Sequence, residues 1–405
     1  MRTKPDVADA VVIGGGTVGG WCAWWLRQAG VERVVVVERA TLGKGASSRA
    51  AGMVRCQGGT PWAVRLGMFS RDFYARQGDE LGIDSGFVAQ GYFMPAFDEA
   101  SVAVGLSRVA MQQGLGLDVA WLSPEEAAPF NPTLAPGSHL GGSYAAGDGY
   151  LDPPRNVLAY GAALAGAGVE LLERTEFLGL VTSGPDGRVT GVETSAGRIA
   201  TECVVLTGGP DLAAVGRAAG LTVHAGGARH QVAVTEPHPA FAPEVMGAMV
   251  FDLPSGLYWR PEDGGLLFGM SNPLEAPGPA RDVDWPYLET ERARLTELVP
   301  VTAGLALRRV WAATIDFTPD HLPILGPGLD TEGAPVAGLT VASAGGHGMM
   351  WGPAVARVAA DLATDGKTSV VDDVGSLGLG RFDADGHSSL DPDPIALPFP
   401  ERTTQ

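Results

Sequence analysis

Ala10-Val11-Val12-Ile13-Gly14-Gly15-Gly16-Thr17-Val18-Gly19 is the stretch on which the reading of this chain turns. Ala10 to Ile13 is a short apolar run, suited to a strand buried on both faces. Gly14, Gly16 and Gly19 then form a GxGxxG pattern. Trp21 to Ala29 reads as a helix ended by Gly30. Val34 to Val37 reads as a second strand, and it ends at Glu38. Each part has a physical task. Gly14 permits a tight turn, Gly16 lets the backbone approach a pyrophosphate, and Gly19 lets helix and strand pack closely. The helix N-terminus favours the phosphate charge. Glu38 follows Gly14 at close to the usual spacing of roughly 20 residues and can hold ribose hydroxyls. Strand, glycines, helix, strand and acid in that order point to a dinucleotide site. They do not choose between NAD and FAD.

Around that unit the composition sets limits. The chain has 405 residues, enough for a large core and for two domains. Hydrophobic residues make up 45%, and the 58 glycines and 30 prolines are scattered without a collagen period, which indicates a turn-rich globular protein. A formal charge of −18 argues against nucleic acid or an anionic membrane as partner. Cys22, Cys56 and Cys203 show no CxxC spacing, as expected in a reducing compartment. Met1 to Ala10 carries no apolar leader, and no run reaches the ~18 apolar residues of a membrane helix. A soluble, cytoplasmic protein is the expectation. The 7 histidines show no ligand-like spacing, so no metal is expected.

Further strands lie far along the chain. Val204 to Leu206 is apolar and runs into Thr207-Gly208-Gly209-Pro210, after a hairpin-like stretch from Val189 to Ile199 with Gly197 at its turn. Leu339 to Ala344 is another strand, followed by Gly345-Gly346-His347-Gly348 and a helix from about Pro353 to Leu362. Pro353 suits a first helical turn, where its missing N–H costs nothing. Free backbone N–H groups at such a helix start can stabilise negative charge, such as that on the N1–C2=O edge of a reduced flavin.

With these segments in place, the chain resembles the D-amino-acid oxidase superfamily of FAD enzymes, and within it the sarcosine oxidase, dimethylglycine oxidase and glycine oxidase branch. The resemblance runs from about Ala10 to about Gly380. Its most specific part is Trp311-Ala-Ala-Thr-Ile-Asp316-Phe-Thr318-Pro319-Asp320-His-Leu-Pro323-Ile324-Leu-Gly326. Gly346-His347-Gly348-Met349 is similar to the branch's flavin-facing segment, and Tyr150-Leu151-Asp152-Pro153 to the start of its second βαβ-like segment. The resemblance implies an α/β fold: a discontinuous Rossmann-type FAD-binding domain (1–83, 146–218 and 316–405). A mixed-sheet α+β substrate domain (84–145 and 219–315) would cover the flavin. It implies cofactor contacts from Gly14, Gly16, Thr17, Gly19, Glu38, Arg39, Ser47, Ser48, Arg49, Ala51, Gly52, Thr207, Gly208, Gly346, His347, Gly348, Met349 and Met350.

The departures from the family pattern are informative. Arg49 stands where several relatives attach FAD through a histidine, and Ala313 where monomeric sarcosine oxidases use a cysteine. Non-covalent FAD is therefore expected, with Cys56 close to Arg55 as a reservation. Met350 replaces one family lysine, a carboxylate anchor, and Leu267 replaces another, which activates oxygen.

Four residues are candidates for the chemistry. Arg55 resembles the arginine that pairs with the substrate carboxylate, a role suited to its planar fork; a FAD phosphate or a surface acid is its other possible partner. His230, in Arg229-His230-Gln231, resembles a histidine beside the substrate nitrogen. With an ordinary pKa near 6.5 it could take the amine proton, or it could be a hydrogen-bonded core residue. Tyr258 matches a tyrosine lining the same cavity, with ordinary strand packing as the alternative. His347, flanked by glycines, completes the set. The function implied is hydride transfer from a small secondary or tertiary amine, an N-substituted amino acid, to flavin N5. The imine so formed hydrolyses, and oxygen or an electron carrier accepts the electrons. A dehydrogenase of cyclic or D-amino acids, a flavin-bearing assembly protein and an NAD-linked dehydrogenase remain the alternatives.

Overall fold

A computed structural model describes residues 5–184 and 187–395. Residues 1–4 and 396–405, at the outer ends of two segments assigned to the cofactor domain, lie outside the described residues, as does part of the Met1 to Ala10 stretch.

Five parallel strands and one antiparallel edge strand form the first sheet. Their order is Ile324–Leu329, Pro335–Ser343, Val204–Leu206, Ala10–Ile13, Val34–Glu38, Glu170–Glu173. Ala10–Ile13 lies at the centre, pairing in parallel with Val34–Glu38 and with Val204–Leu206. Its side chains are buried on both faces, which is why it reads as a continuous apolar run. One face packs helices Thr17–Gln28, Pro153–Gly166 and Gly352–Thr364 in a single apolar core. The other face carries a small antiparallel sheet, Phe177–Ser183, Arg188–Thr194 and Ile199–Ala200. Gly197 turns between its last two strands at φ +105°.

The first helix begins at Thr17, four residues before the start read from the sequence. Gly19 and Gly20 are poor helix formers, which hides that start. Packing demands them nonetheless. A Cβ on Gly19 would lie 1.9 Å from the Gly14 carbonyl oxygen, and one on Gly20 would lie 2.5 Å from the Tyr160 ring. The late helix covers Gly352–Thr364, one residue earlier and two later than expected, and the strand before it starts at Pro335 rather than Leu339.

The second sheet has eight strands, in the order Leu307–Phe317, Gly226–Thr235, Gly265–Met270, Leu257–Glu262, Met249–Asp252, Tyr92–Pro95, Gly142–Ala145, Ala120–Leu122. All but one of its strands fall within 84–145 and 219–315. Leu307–Phe317 runs on past residue 315 toward the first sheet. Alternation along the strands gives this sheet two different faces. Ala233, Phe268, Trp259 and Val250 pack beneath helix Trp285–Leu298. Val232, Val234, Leu267, Tyr258 and Phe251 point the other way. No described helix is long and apolar enough to cross a membrane.

Candidate active site

A cavity of about 700 Å³ runs from the Gly14–Thr17 turn to the second face of the eight-stranded sheet. At its first end the local sequence explains the shape. Gly14 has φ +104°, a left-handed conformation that glycine adopts without penalty, and a Cβ there would sit 3.0 Å from the Thr207 carbonyl oxygen. Thr17 N–H donates to Ser47 Oγ at 2.9 Å. The Glu38 carboxylate accepts from Gly15 N–H at 2.8 Å and from Ala40 N–H at 2.7 Å, so it is held at the end of its strand. Arg39 pairs with Asp211 at 2.5 Å.

Gly14, Gly16, Thr17, Glu38, Arg39, Ser47, Ala51, Gly52, Thr207 and Gly208 all line this cavity. Gly19, Ser48 and Arg49 do not. Gly19 serves the packing of helix on strand instead. The Arg49 guanidinium donates to the Lys44 and Gly45 carbonyls, and its own carbonyl accepts from Trp311 Nε1. None of the three cysteines lines the cavity; Cys56 is buried outside it, its thiol pushed well up by burial.

The loop from Gly346 to Met350 forms part of the wall. Gly345 and Gly346 take positive φ, +56° and +90°. His347 Nδ1 lies 3.1 Å from the Gly345 carbonyl oxygen and its ring packs on Trp351 at 4.1 Å. Burial first, and the charge of Arg55 second, lower its pKa to about 3. It is neutral at pH 7.

Arg55, His230 and Tyr258 meet at the sheet end of the same cavity. The Arg55 guanidinium carbon lies 5.1 Å over the Phe251 ring, and Phe251 pairs directly across strands with Tyr258. Tyr258 OH lies 2.5 Å from His230 Nε2, and His230 Nδ1 lies 2.8 Å from Ser271 Oγ. One glycine makes this chain of contacts possible. Gly269 pairs with Tyr258 on one side and Val232 on the other, so the phenol crosses above a residue with no side chain. A Cβ on Gly269 would lie 2.9 Å from Tyr258 Oη.

Burial changes what His230 can do. Its pKa is lowered to about 4, so the ordinary value assumed from the sequence does not apply in the fold. Tyr258 is pushed well up by burial and stays protonated. Neutral His230 and Tyr258 therefore share one hydrogen bond, with Ser271 setting the far side of the imidazole. Ser271, and the cavity residues Tyr92 and Phe251, were not legible in the sequence. Tyr92 and Phe251 lie on strands, and Ser271 just past the end of one, whose neighbours only the sheet order reveals. Among the described residues, the only cluster able to hold a metal is Asp383, Asp385 and His387, all exposed and outside the cavity lining.

A family model for FAD dependent oxidoreductase (DAO) matches residues 9–362. The chain is 30% identical over 374 residues to glycine oxidase of Geobacillus kaustophilus, covering 89% of this chain and 94% of that one. It is 26% identical over 349 residues to human mitochondrial sarcosine dehydrogenase, covering 82% of this chain but only 37% of that protein. The solved structure of L-proline dehydrogenase from P. horikoshii superposes with a TM-score of 0.85 at 26% identity, over 94% of this chain and 98% of that one.

Proposed function

Because the chain belongs to the FAD dependent oxidoreductase (DAO) family, we propose that it oxidises the CH–NH bond of a small secondary or tertiary amine, an N-substituted amino acid. FAD is the cofactor of this family, and the residues present fit it. The Gly14–Thr17 turn offers a cradle that a Cβ at Gly14 would close, Glu38 lies beside that turn, and the Gly346–Met350 loop lines the same cavity. Arg49 and Ala313, standing where relatives carry an attaching residue, and the absence of all three cysteines from the lining support non-covalent binding. FAD, when bound, supplies the hydride acceptor.

The observation that carries the reading is the convergence of Arg55, Tyr258 and His230 at one end of this cavity. Arg55 is suited to hold the substrate carboxylate by two N–H groups. With the Tyr258 proton placed on the side of His230 Nε2, the phenol oxygen keeps lone pairs that can accept the N–H of a secondary amine. With a pKa of about 4, His230 is a poor base for an ammonium, so the amine sheds its proton to solvent before it binds, and His230 keeps Tyr258 in place. Tyr92, Phe251 and Met53 supply apolar walls that exclude water. The resulting imine hydrolyses in solution. Relatives named glycine oxidase and sarcosine dehydrogenase and a neighbour named L-proline dehydrogenase support an amino-acid substrate without choosing among them. Either oxygen or an electron carrier can take the electrons. Apolar Leu267, buried beside Tyr258, supports a carrier, since it offers no cation to activate oxygen.

The test is an anaerobic titration of the purified holoenzyme with N-methylated, cyclic and unsubstituted amino acids. Bleaching of the visible flavin band by an N-methylated or cyclic member is expected. Bleaching only by unsubstituted amino acids, or by none, would refute the substrate class.

A further inference from the structure

Arg55 is 4% exposed and forms no ion pair among the described residues. Its guanidinium is held by uncharged groups instead. One terminal N–H donates to the Ile395 carbonyl oxygen at 3.2 Å, the other terminal nitrogen faces Met94 Sδ at 3.7 Å, and Phe251 lies beneath. A cation oriented in this way is not neutralised, so its attraction for an incoming anion survives burial.

The carbonyl that orients Arg55 comes from 340 residues further along the chain. Asp393 forms the turn that presents it: Asp393 Oδ1 accepts the Ile395 N–H at 2.9 Å. Asp393 is 4% exposed, and Gly59 must lack a side chain to admit it, since a Cβ there would lie 2.2 Å from Asp393 Oδ1. The Ile395 side chain is fully buried in an apolar group that includes Met53, Tyr92 and Phe251. The segment is tied back at its start as well. Asp393 N–H donates to the Asp320 carbonyl at 3.1 Å. The Asp320 carboxylate is gripped by Arg381 at 2.7 and 3.0 Å and by Ser388 Oγ at 2.6 Å. Asp320 belongs to the Thr318-Pro319-Asp320 stretch singled out in the sequence, for which the site described above has no use.

We propose that the Asp393–Ile395 turn, anchored on Asp320, is the positioning element of the substrate-carboxylate anchor: it aims Arg55 through a backbone carbonyl while leaving its charge for an amino-acid carboxylate. This rests on the reading that Arg55 binds that carboxylate. The local charges agree with it. Asp393 interacts electrostatically with both Arg55 and Arg108, and two cations facing one carboxylate leave at least one positive charge for a ligand. Had Asp393 paired directly with Arg55, the anchor would be spent; the turn keeps the acid one step away and offers a neutral oxygen instead.

The test uses the FAD-loaded enzyme and acetate, an unreactive carboxylate, with neutral acetamide as control. Binding is read from the perturbation of flavin absorbance. Asp393→Ala removes the acceptor for the Ile395 N–H and should weaken acetate about tenfold, the worth of one well-made orienting contact, with flavin content and acetamide response unchanged. Asp393→Asn keeps an acceptor oxygen and should restore acetate binding to the wild-type level or above. Wild-type acetate affinity in Asp393→Ala, or no rescue by Asn, overturns the proposal. Arg55→Ala separates the two ideas: if it too binds acetate like wild type, the reading of Arg55 itself fails. Should Asp393→Ala not fold, Ile395→Gly carries the test, since it frees the same carbonyl from its apolar seat; unchanged acetate affinity there overturns the proposal equally.

Discussion

Gly269→Ala is the smallest change that reaches the centre of the site. The added methyl would lie 2.9 Å from Tyr258 Oη, 3.3 Å from its ring carbon Cζ and 2.4 Å from the Gln231 carbonyl oxygen. The last of these is backbone in a paired strand, so relieving it shifts the strand itself, and the phenol, at the end of a side chain, is displaced as well. Overpacking of this kind costs about 1–3 kcal/mol. The Tyr258–His230 hydrogen bond, lost as the phenol moves, adds about 1 kcal/mol. A total of about 2–4 kcal/mol is expected, read as a fall in melting temperature together with slower anaerobic flavin reduction by the amine. A double-mutant cycle with Tyr258→Phe isolates the mechanism. In the phenylalanine background the hydrogen bond is already gone, so Gly269→Ala should cost about 1 kcal/mol less than in wild type. Strict additivity, within about 0.3–0.5 kcal/mol, would refute the claim that Gly269 exists to let the phenol reach His230.

Three further outcomes can be checked. Acid precipitation should release FAD into the supernatant; flavin retained in the pellet would contradict non-covalent binding. His230, neutral in the fold with a pKa of about 4 against an ordinary 6.5, favours the native state most above pH 6.5 and withdraws on the order of 3 kcal/mol as pH falls toward 4. His230→Asn should therefore flatten the acid side of the melting curve against pH, yet leave any ionisation of flavin reduction between about pH 6 and 9 in place, since that belongs to the substrate ammonium. Loss of that ionisation in His230→Asn would restore the histidine as base. Glu291 is buried beneath Gln231, which donates to it at 3.1 Å, and burial raises its pKa to about 8. The unfolded chain releases this proton from about pH 4.5 upward while the native state keeps it, so stability declines as pH rises from there to about 8. Glu291→Gln should raise the melting temperature at pH 8 and not at pH 4.5; an equal effect at both would show that Glu291 does not titrate this way.

What the sequence alone decides here is local and contiguous. The turn at Gly14–Gly19, the strand ending at Glu38, and the Gly346–Met350 loop before its helix are each written within a few residues, because a strand, a glycine turn and a helix start impose their demands on neighbours in the chain. Even there a boundary was missed, at Thr17, because Gly19 and Gly20 obey contacts with Gly14 and Tyr160 rather than helix propensity. The substrate end is decided otherwise. Tyr258 meets His230 only because the Gly265–Met270 strand lies between theirs and offers Gly269 as a gap. Arg55 is aimed by Ile395, far away in sequence, through a carbonyl that every residue possesses and no residue type announces. Burial, too, is a property of the whole fold. It lowers the pKa of His230 from near 6.5 to about 4, because desolvation depends on what packs around the imidazole and not on the residues beside it in the chain.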